Sequence, residues 1–505
     1  MALFEYIAVS LDKGVSSRSM EAIPIDISQS ELVNTSRNYY IKFSWPLLVV
    51  GLFVLYILLA LLPYMGRIYV SAETREAFSM QNFYNNSDEQ NPERVMLLED
   101  PQDAFFHRIN LISNAQEQIL LSSFAIQNGT TSDIMIGALL SAADRGVDIT
   151  IMNNAVGGLM PQRYLNILSA HDNIDVYLFN RFEFFRPQYI NSALHDKYIV
   201  VDDILLILGG RNIGDKYFAP DGFDGRFSFD REILVFNTDP NFNGSIAQVI
   251  DYFNSKIYSQ CTSLFDIERR NTNWKAQRNY YINLYLEFRE SLVICTFDYY
   301  ANTIKVNRIT LITNSIDSTK NDSVVAYNLM RITQNSNTVI AQSPYVSFTD
   351  RSLNILVETV RDRNVILLTN SLASTPNIPA FSSYYVNRQI ILNMGVTIYE
   401  YQSTQSSIHA KTYLFDGRLT AIGSFNLNER SIRSDTESML IIDSEKFHDI
   451  VLEAINSQMA QSLRVNAENN RYYLDSDVAQ ANVSLGKRIL YNVAGRLLRM
   501  FRFMF

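Results

Sequence analysis

Leu194-His195-Asp196-Lys197-Tyr198-Ile199-Val200-Val201-Asp202 and Ile408-His409-Ala410-Lys411-Thr412-Tyr413-Leu414-Phe415-Asp416 share one pattern, HxKxxxxD, 214 positions apart. The tails repeat as well: Gly209-Gly210-Arg211-Asn212 follows the first motif and Gly423-Ser424-Phe425-Asn426 the second, at the same offset. A lone HxK is weak, but a duplicated motif with a duplicated tail implies an internal repeat. Working outward, strand and helix periods alternate ahead of each motif. In the first half they predict a helix over 103–115, strand 119–124, helix 133–145, strand 147–152, a helix from 161 and strand 174–178. In the second they predict strand 338–341, helix 349–361, strand 365–369, helix 384–393 and strand 396–399. The expected fold is α/β, with two similar lobes that each hold a mixed sheet flanked by helices.

The motif residues suit one task. On a strand, a period of two puts His195 and Lys197 on one face and Asp196 on the other, and the same holds for His409 and Lys411. Two such pairs brought together make a phosphoryl site in which lysines neutralise oxygens, one His attacks phosphorus and the other protonates the leaving oxygen. The amides of Asn212 and Asn426 can donate to the same oxygens. A nucleophilic imidazole needs a carboxylate on its other nitrogen, and Glu232 and Glu437, each just before an apolar strand, are the candidates. Asp202 and Asp416 end their strands in turn sequences, which suits bonding to local backbone or fixing the lysine. No HExxH or CxxC accompanies the two His, so no metal and no cofactor is expected.

Composition bounds the rest. The chain has 505 residues, 47% hydrophobic, with 43 basic and 52 acidic side chains and a net charge of −9. That length suits two domains, and the charge argues against a surface built as a trap for nucleic acid. Only two Cys are present, which excludes a disulfide framework. From Phe43 to Gly66 there is no charged residue, a run long enough to predict a single membrane-spanning helix. Its basic flanks are balanced, and the lobes are expected on the cytoplasmic face of the cell membrane. The expected organisation is a polar segment (1–42), the spanning helix (43–66), a linker (67–94), a first lobe with connecting helices (95–300), a second lobe (301–480) and a basic amphipathic segment (481–505). In that last segment Lys487, Arg488, Arg496, Arg499 and Arg502 alternate with Leu and Phe, which fits either a helix on a membrane surface or one packed on the protein.

The paired HxKxxxxD motifs with their Gly-Gly/Ser-x-Asn tails resemble the phospholipase D superfamily over roughly residues 103–467. Gly209-Gly210-Arg211-Asn212-Ile213-Gly214-Asp215, Ala142-Ala143-Asp144-Arg145-Gly146-Val147 and Thr369-Asn370-Ser371-Leu372-Ala373-Ser374-Thr375 are similar to its bacterial cardiolipin synthase branch. The resemblance implies two lobes around one active site and a covalent phosphatidyl-histidine intermediate, resolved by an alcohol such as the glycerol end of phosphatidylglycerol. It carries His195, Lys197, Asn212 and Glu232 over from one half, and His409, Lys411, Asn426 and Glu437 from the other. Ser382 and Tyr384 depart from it, standing where His and Gly are expected. Phospholipid substrates and a membrane are the implied partners. The alternative is a membrane-tethered nuclease or phospholipid hydrolase of the same superfamily.

Overall fold

The computed structural model describes residues 45–86, 91–259, 261–266, 273–291, 297–315, 322–473 and 476–504. The polar segment 1–42 lies outside them. Two mixed sheets carry the chain. The first runs, edge to edge, through Ile304–Lys305, Glu93–Leu98, Glu232–Asn237, Leu205–Gly209, Tyr198–Val201, Gln118–Ser123, Asp148–Asn154, Ile174–Phe179 and Thr262–Leu264. The second runs through Arg308–Thr313, Ser438–Asp443, Leu419–Gly423, Thr412–Phe415, Thr338–Gln342, Asn364–Asn370, Thr397–Tyr401 and Ser462–Arg464. Beyond the Ile304–Lys305 edge, the two orders correspond strand for strand, and so does the direction of every pairing. The parallel pairs are those joined by crossover helices, as their geometry requires: Thr130–Asp144 and Gln162–Ser169 in one lobe, Asp350–Val360 and Ile378–Asn393 in the other.

Period-two alternation sorts each strand between two cores. Ile199 and Val201 face the first lobe's own helices, while Tyr198 and Val200 face the seam between the sheets. In the second lobe Tyr413 and Phe415 face the helices and Leu414 faces the seam. The seam is apolar and contains residues of both sheets, such as Leu206, Ile233, Ile422 and Leu440, together with Val249 and Val451 from the helices Ser245–Ile257 and Glu445–Met459.

Three stretches lie at or near the ends of the chain. The run 43–66, expected to span a membrane, is described from Trp45 onward, as the helix Trp45–Leu61 followed by a 3-10 turn, Leu62–Met65. Among the described residues, no helix is long and apolar enough to cross a membrane. The chain divides into two compact units at Leu52/Phe53, inside this helix. The stretch expected as a free linker, 67–94, is instead a strap in its described part: Phe83 is buried in the second lobe's core, the Asn85 amide donates to Asp443 Oδ2, and Glu93 already begins a strand of the first sheet. The C-terminal helix Leu485–Leu497 packs one face on the helix Ile378–Asn393 through Tyr491 and Gly495, where an added Cβ would lie 2.6 Å from Ser382 O. Its other face leaves Leu485, Ile489, Val493 and Leu497 exposed.

Candidate active site

Each HxK run lies just ahead of its strand, Tyr198–Val201 or Thr412–Phe415, and not within it. Each lysine turns back so that its Nζ donates to the main-chain oxygen of its own His, Lys197 to His195 and Lys411 to His409. The sheets meet so that one lobe's motif lies beside the other lobe's carboxylate. A parallel bridge pairs Leu194 with Thr436, and the short parallel strands Phe227–Phe229 and Ser406–Ile408 pair across the lobes in the same way. The residue after each of these four segments is therefore His195, Glu437, Asp230 or His409.

His195 Nδ1 stands 3.0 Å from Glu437 Oε1, and His409 Nδ1 stands 2.5 Å from Asp230 Oδ2. An ionised carboxylate only accepts, so Nδ1 carries the proton in each imidazole and the Nε2 lone pair is left for chemistry. The partner of His409 is thus Asp230, not Glu232. Glu232 faces the other way, clamped by Arg108 and, at 3.1 Å, by Arg211, and it serves as a buried structural counter-ion. The tails explain themselves here. A Cβ on Gly210 would fall 2.2 Å from Asp230 Oδ1, so only glycine admits that carboxylate. In the other lobe Ser424 stands in its place, and its hydroxyl donates to Glu437 Oε2.

The remaining candidates are placed less centrally. Asp202 accepts from the backbone amides of Gln116, Glu117 and Gln118, and Asp416 from those of Asn337 and Thr338. Both therefore pin the start of the neighbouring strand, at the far end from the lysines, and neither reaches the site. Asn212 is committed to protein: its Oδ1 accepts from Ala125 N at 3.3 Å and its Nδ2 donates to Tyr217 OH at 3.1 Å. The Tyr217 ring stands edge-on to His409 with centroids 5.3 Å apart, and Phe124 stands likewise 5.8 Å from His195. Asn426 is buried, and its Oδ1 has no hydrogen-bond partner among the described residues. Asp196 points away from the site into a buried pair with Lys256 at 2.8 Å, and also accepts from Thr436 Oγ1 across the lobes. Tyr217, Phe124 and Asp230 carried no signal in the motif pattern.

The charges are interdependent. Burial lowers Lys197, and the charge of Lys411 lowers it further, while burial raises Glu437 against the pull of Lys197. Burial brings Lys411 down to about 8. Burial and then Lys411 push His409 down to about 3, against the pull of Asp230. Burial alone would raise Asp230, but His409 and Lys411 outweigh it and hold the carboxyl at about 2. His195 is held well below the usual imidazole range by burial and Lys197. Two buried ammonium groups, each near an imidazole, suit the binding of a phosphoryl anion. Among the described residues, no group of three or more His, Cys, Asp or Glu could hold a metal ion.

A family model described as "Cardiolipin synthase, PLD-like domain" matches residues 108–257 and 329–459, together more than half of the chain and one segment in each lobe. The chain belongs to this cardiolipin synthase family of phospholipase D-like domains. Within the family, cardiolipin synthase C of Escherichia coli (strain K12) is 27% identical over 400 residues, 70% of this chain and 82% of the relative. An uncharacterized protein of Helicobacter pylori (strain ATCC 700392 / 26695) is 26% identical over 420 residues, 74% of this chain and 80% of its own. The crystal structure of phosphatidylserine synthase from Haemophilus influenzae Rd KW20 superposes with a TM-score of 0.60 at 13% identity, covering 86% of this chain and all of that one. That likeness shows a shared fold over both lobes together.

Proposed function

We propose that the protein is a membrane-attached transphosphatidylase that joins two phosphatidylglycerol molecules, or phosphatidylglycerol and a second phospholipid, into cardiolipin or a close relative. The observation that carries this reading is the pair of carboxylate-held imidazoles, one from each lobe, beside two buried lysines in a chain of the cardiolipin synthase family. One imidazole Nε2 attacks the phosphorus of the first lipid; the N–P bond forms as the P–O bond to the leaving glycerol breaks, and the second imidazole, which takes up a proton at Nε2 when the phosphate anion binds beside it, gives that proton to the leaving oxygen. The acceptor lipid's hydroxyl then returns a proton to the second imidazole, its oxygen takes the phosphorus, and the N–P bond breaks. Both lysine charges offset the phosphate's oxygens throughout.

Three apolar surfaces support attachment to a membrane. The helix Trp45–Leu61 exposes Phe53, Leu55, Leu58 and Leu59. Its Tyr56 stacks on Phe184, in the Phe182–Phe185 loop ahead of His195, where Phe185 is 93% exposed between Arg181 and Arg186. The turn Leu62–Met65 touches the C-terminal turn Leu498–Met504, which continues the exposed face of the basic C-terminal helix. Apolar area rimmed by Arg and Lys suits an anionic lipid surface.

Purified enzyme given labelled phosphatidylglycerol in vesicles is expected to form cardiolipin and release glycerol, and to leave single-stranded DNA uncut. Cleaved DNA with no new lipid would replace this reading with that of a nuclease.

The pH profile is a second test. Anion binding needs the ammonium forms of both lysines; burial brings Lys411 down to about 8, and burial with the charge of Lys411 brings Lys197 lower still. By about pH 8 the free enzyme is losing both charges, so kcat/KM is expected to have fallen by then, more than two units before a free lysine titrates. Bound phosphate favours the ammonium, so the alkaline limb of kcat lies higher than that of kcat/KM. Coincident limbs near 10 would show that the lysines do not meet the anion.

A further inference from the structure

The second lobe encloses an apolar cavity of about 450 Å³ between its sheet and the helices Val324–Gln334 and Asp350–Val360. Register shows where the space comes from. Ile119, Leu121, Ile149 and Ile151 form the floor of the first lobe's helical layer; the matching positions of the second sheet are Val339, Ala341, Val365 and Leu367, all of which line the cavity. Three of these four changes shorten the side chain, and Leu121 to Ala341 shortens it most. The roof differs as well. In the first lobe the helix Trp274–Ser291 lies across Thr130–Asp144 and buries Tyr281 and Tyr285, whereas the equivalent helix Asp350–Val360 leaves Ile355 39% exposed at the cavity's edge.

The lining says what fits. Four of its hydroxyls are turned to protein: Ser323 to Ile432 O, Ser352 to Glu429, Thr359 to Ile355 O and Tyr413 to Phe425 O. The rest of the lining is mostly apolar, and a space of this size lies in the range of ligand sites. Ile68 and Val70, which follow the apolar helix Trp45–Leu61 in the chain, edge the opening together with the exposed Arg75. Of the other lining residues, Phe425 and Leu427 flank Asn426 in the chain, and Tyr413 lies two residues beyond Lys411. We infer that this cavity is a binding site for one long fatty acyl chain, with its polar end toward Arg75 or toward the phosphoryl site. The identity of the ligand as part of a phospholipid rests on the transphosphatidylase reading; the apolar site itself does not.

The test fills the cavity with the first lobe's own side chains, Ala341→Leu with Val365→Ile. The full-length variant is expected to melt at or above the wild-type temperature, since the added carbons occupy empty space. Wild-type protein should bind a fluorescent palmitate analogue saturably, displaced by unlabelled palmitate, and the filled variant at least about tenfold more weakly. Equal binding by both, or none by the wild type, overturns the inference. Ile355→Arg at the edge, outside the packed floor, is expected to weaken the probe in the same direction, which covers a filled variant that fails to fold. Activity then separates the two sources of the chain. Loss of turnover on dipalmitoyl but not dioctanoyl phosphatidylglycerol shows that the substrate's own chain occupies the site; unchanged turnover on both, with the probe lost, shows a separately bound lipid. A protein that binds palmitate but makes no cardiolipin keeps the cavity's assignment and loses the proposed reaction.

Discussion

His195→Ala and His409→Ala are each expected to lower kcat by roughly four to six orders of magnitude, and the double variant no further than either one, because the two imidazoles act as a unit. Each His meets the opposite lobe through its carboxylate partner and backbone bonds, and His409 also through the Tyr217 ring, and the two side chains are 14% and 11% exposed. Melting temperatures should therefore stay near wild type, which separates lost chemistry from lost fold. Single-turnover assays with labelled substrate check this, and digestion of quenched wild-type enzyme should yield one phosphorylated His peptide. Near-normal turnover in either variant would mean that its motif is scaffold, and the cross-lobe arrangement would then need another explanation.

How far the sequence reached is clearest at the carboxylates. The offset of 214 holds from each His to its Asn because both lie on one strand-turn-strand hairpin, whose length is set by backbone pairing. It fails immediately afterwards: Asn212 to Asp230 is 18 residues, but Asn426 to Glu437 is 11. Each lobe follows its Asn with a short helix, Asp215–Phe218 or Glu429–Arg433, but the first lobe then inserts the strand Phe227–Phe229, which pairs with Ser406–Ile408 of the other lobe. A contact between lobes leaves no period in either half, so pattern reading favoured Glu232, the acid nearest an apolar strand. Register would have found the right residue, since Gly209 pairs with Glu232 and Gly423 with Met439, two positions beyond Asp230 and Glu437. The strands and crossover helices were legible for the opposite reason: their apolar periods are local and long.

Asp230 and Glu232 lie two residues apart and should fail in opposite ways. Asp230→Asn preserves shape but offers His409 an amide that can present either a donor or an acceptor, so the imidazole loses its fixed tautomer and the stabilisation of its charged form. The expected loss is about four orders of magnitude in kcat with little change in melting temperature. Glu232→Gln removes a charge that neutralises both Arg108 and Arg211, and leaves two guanidinium groups buried with carbonyl oxygens as their remaining partners. Breaking a buried ion pair in this way costs about 3–5 kcal/mol, a large part of a domain's stability, and should lower the denaturation midpoint sharply. Because Glu232 touches neither imidazole, the fraction that remains folded should keep kcat within about tenfold of wild type, the tolerance allowing for Arg211 shifting the Asp230 backbone it holds at 2.7 Å. Denaturant melts alongside single-turnover rates separate the two effects. If Glu232→Gln abolished turnover while remaining fully stable, Glu232 would have to reach the reacting atoms in a conformation other than this one. If Asp230→Asn remained active, His409 would not depend on a held tautomer, and its role as nucleophile or acid would be lost with it.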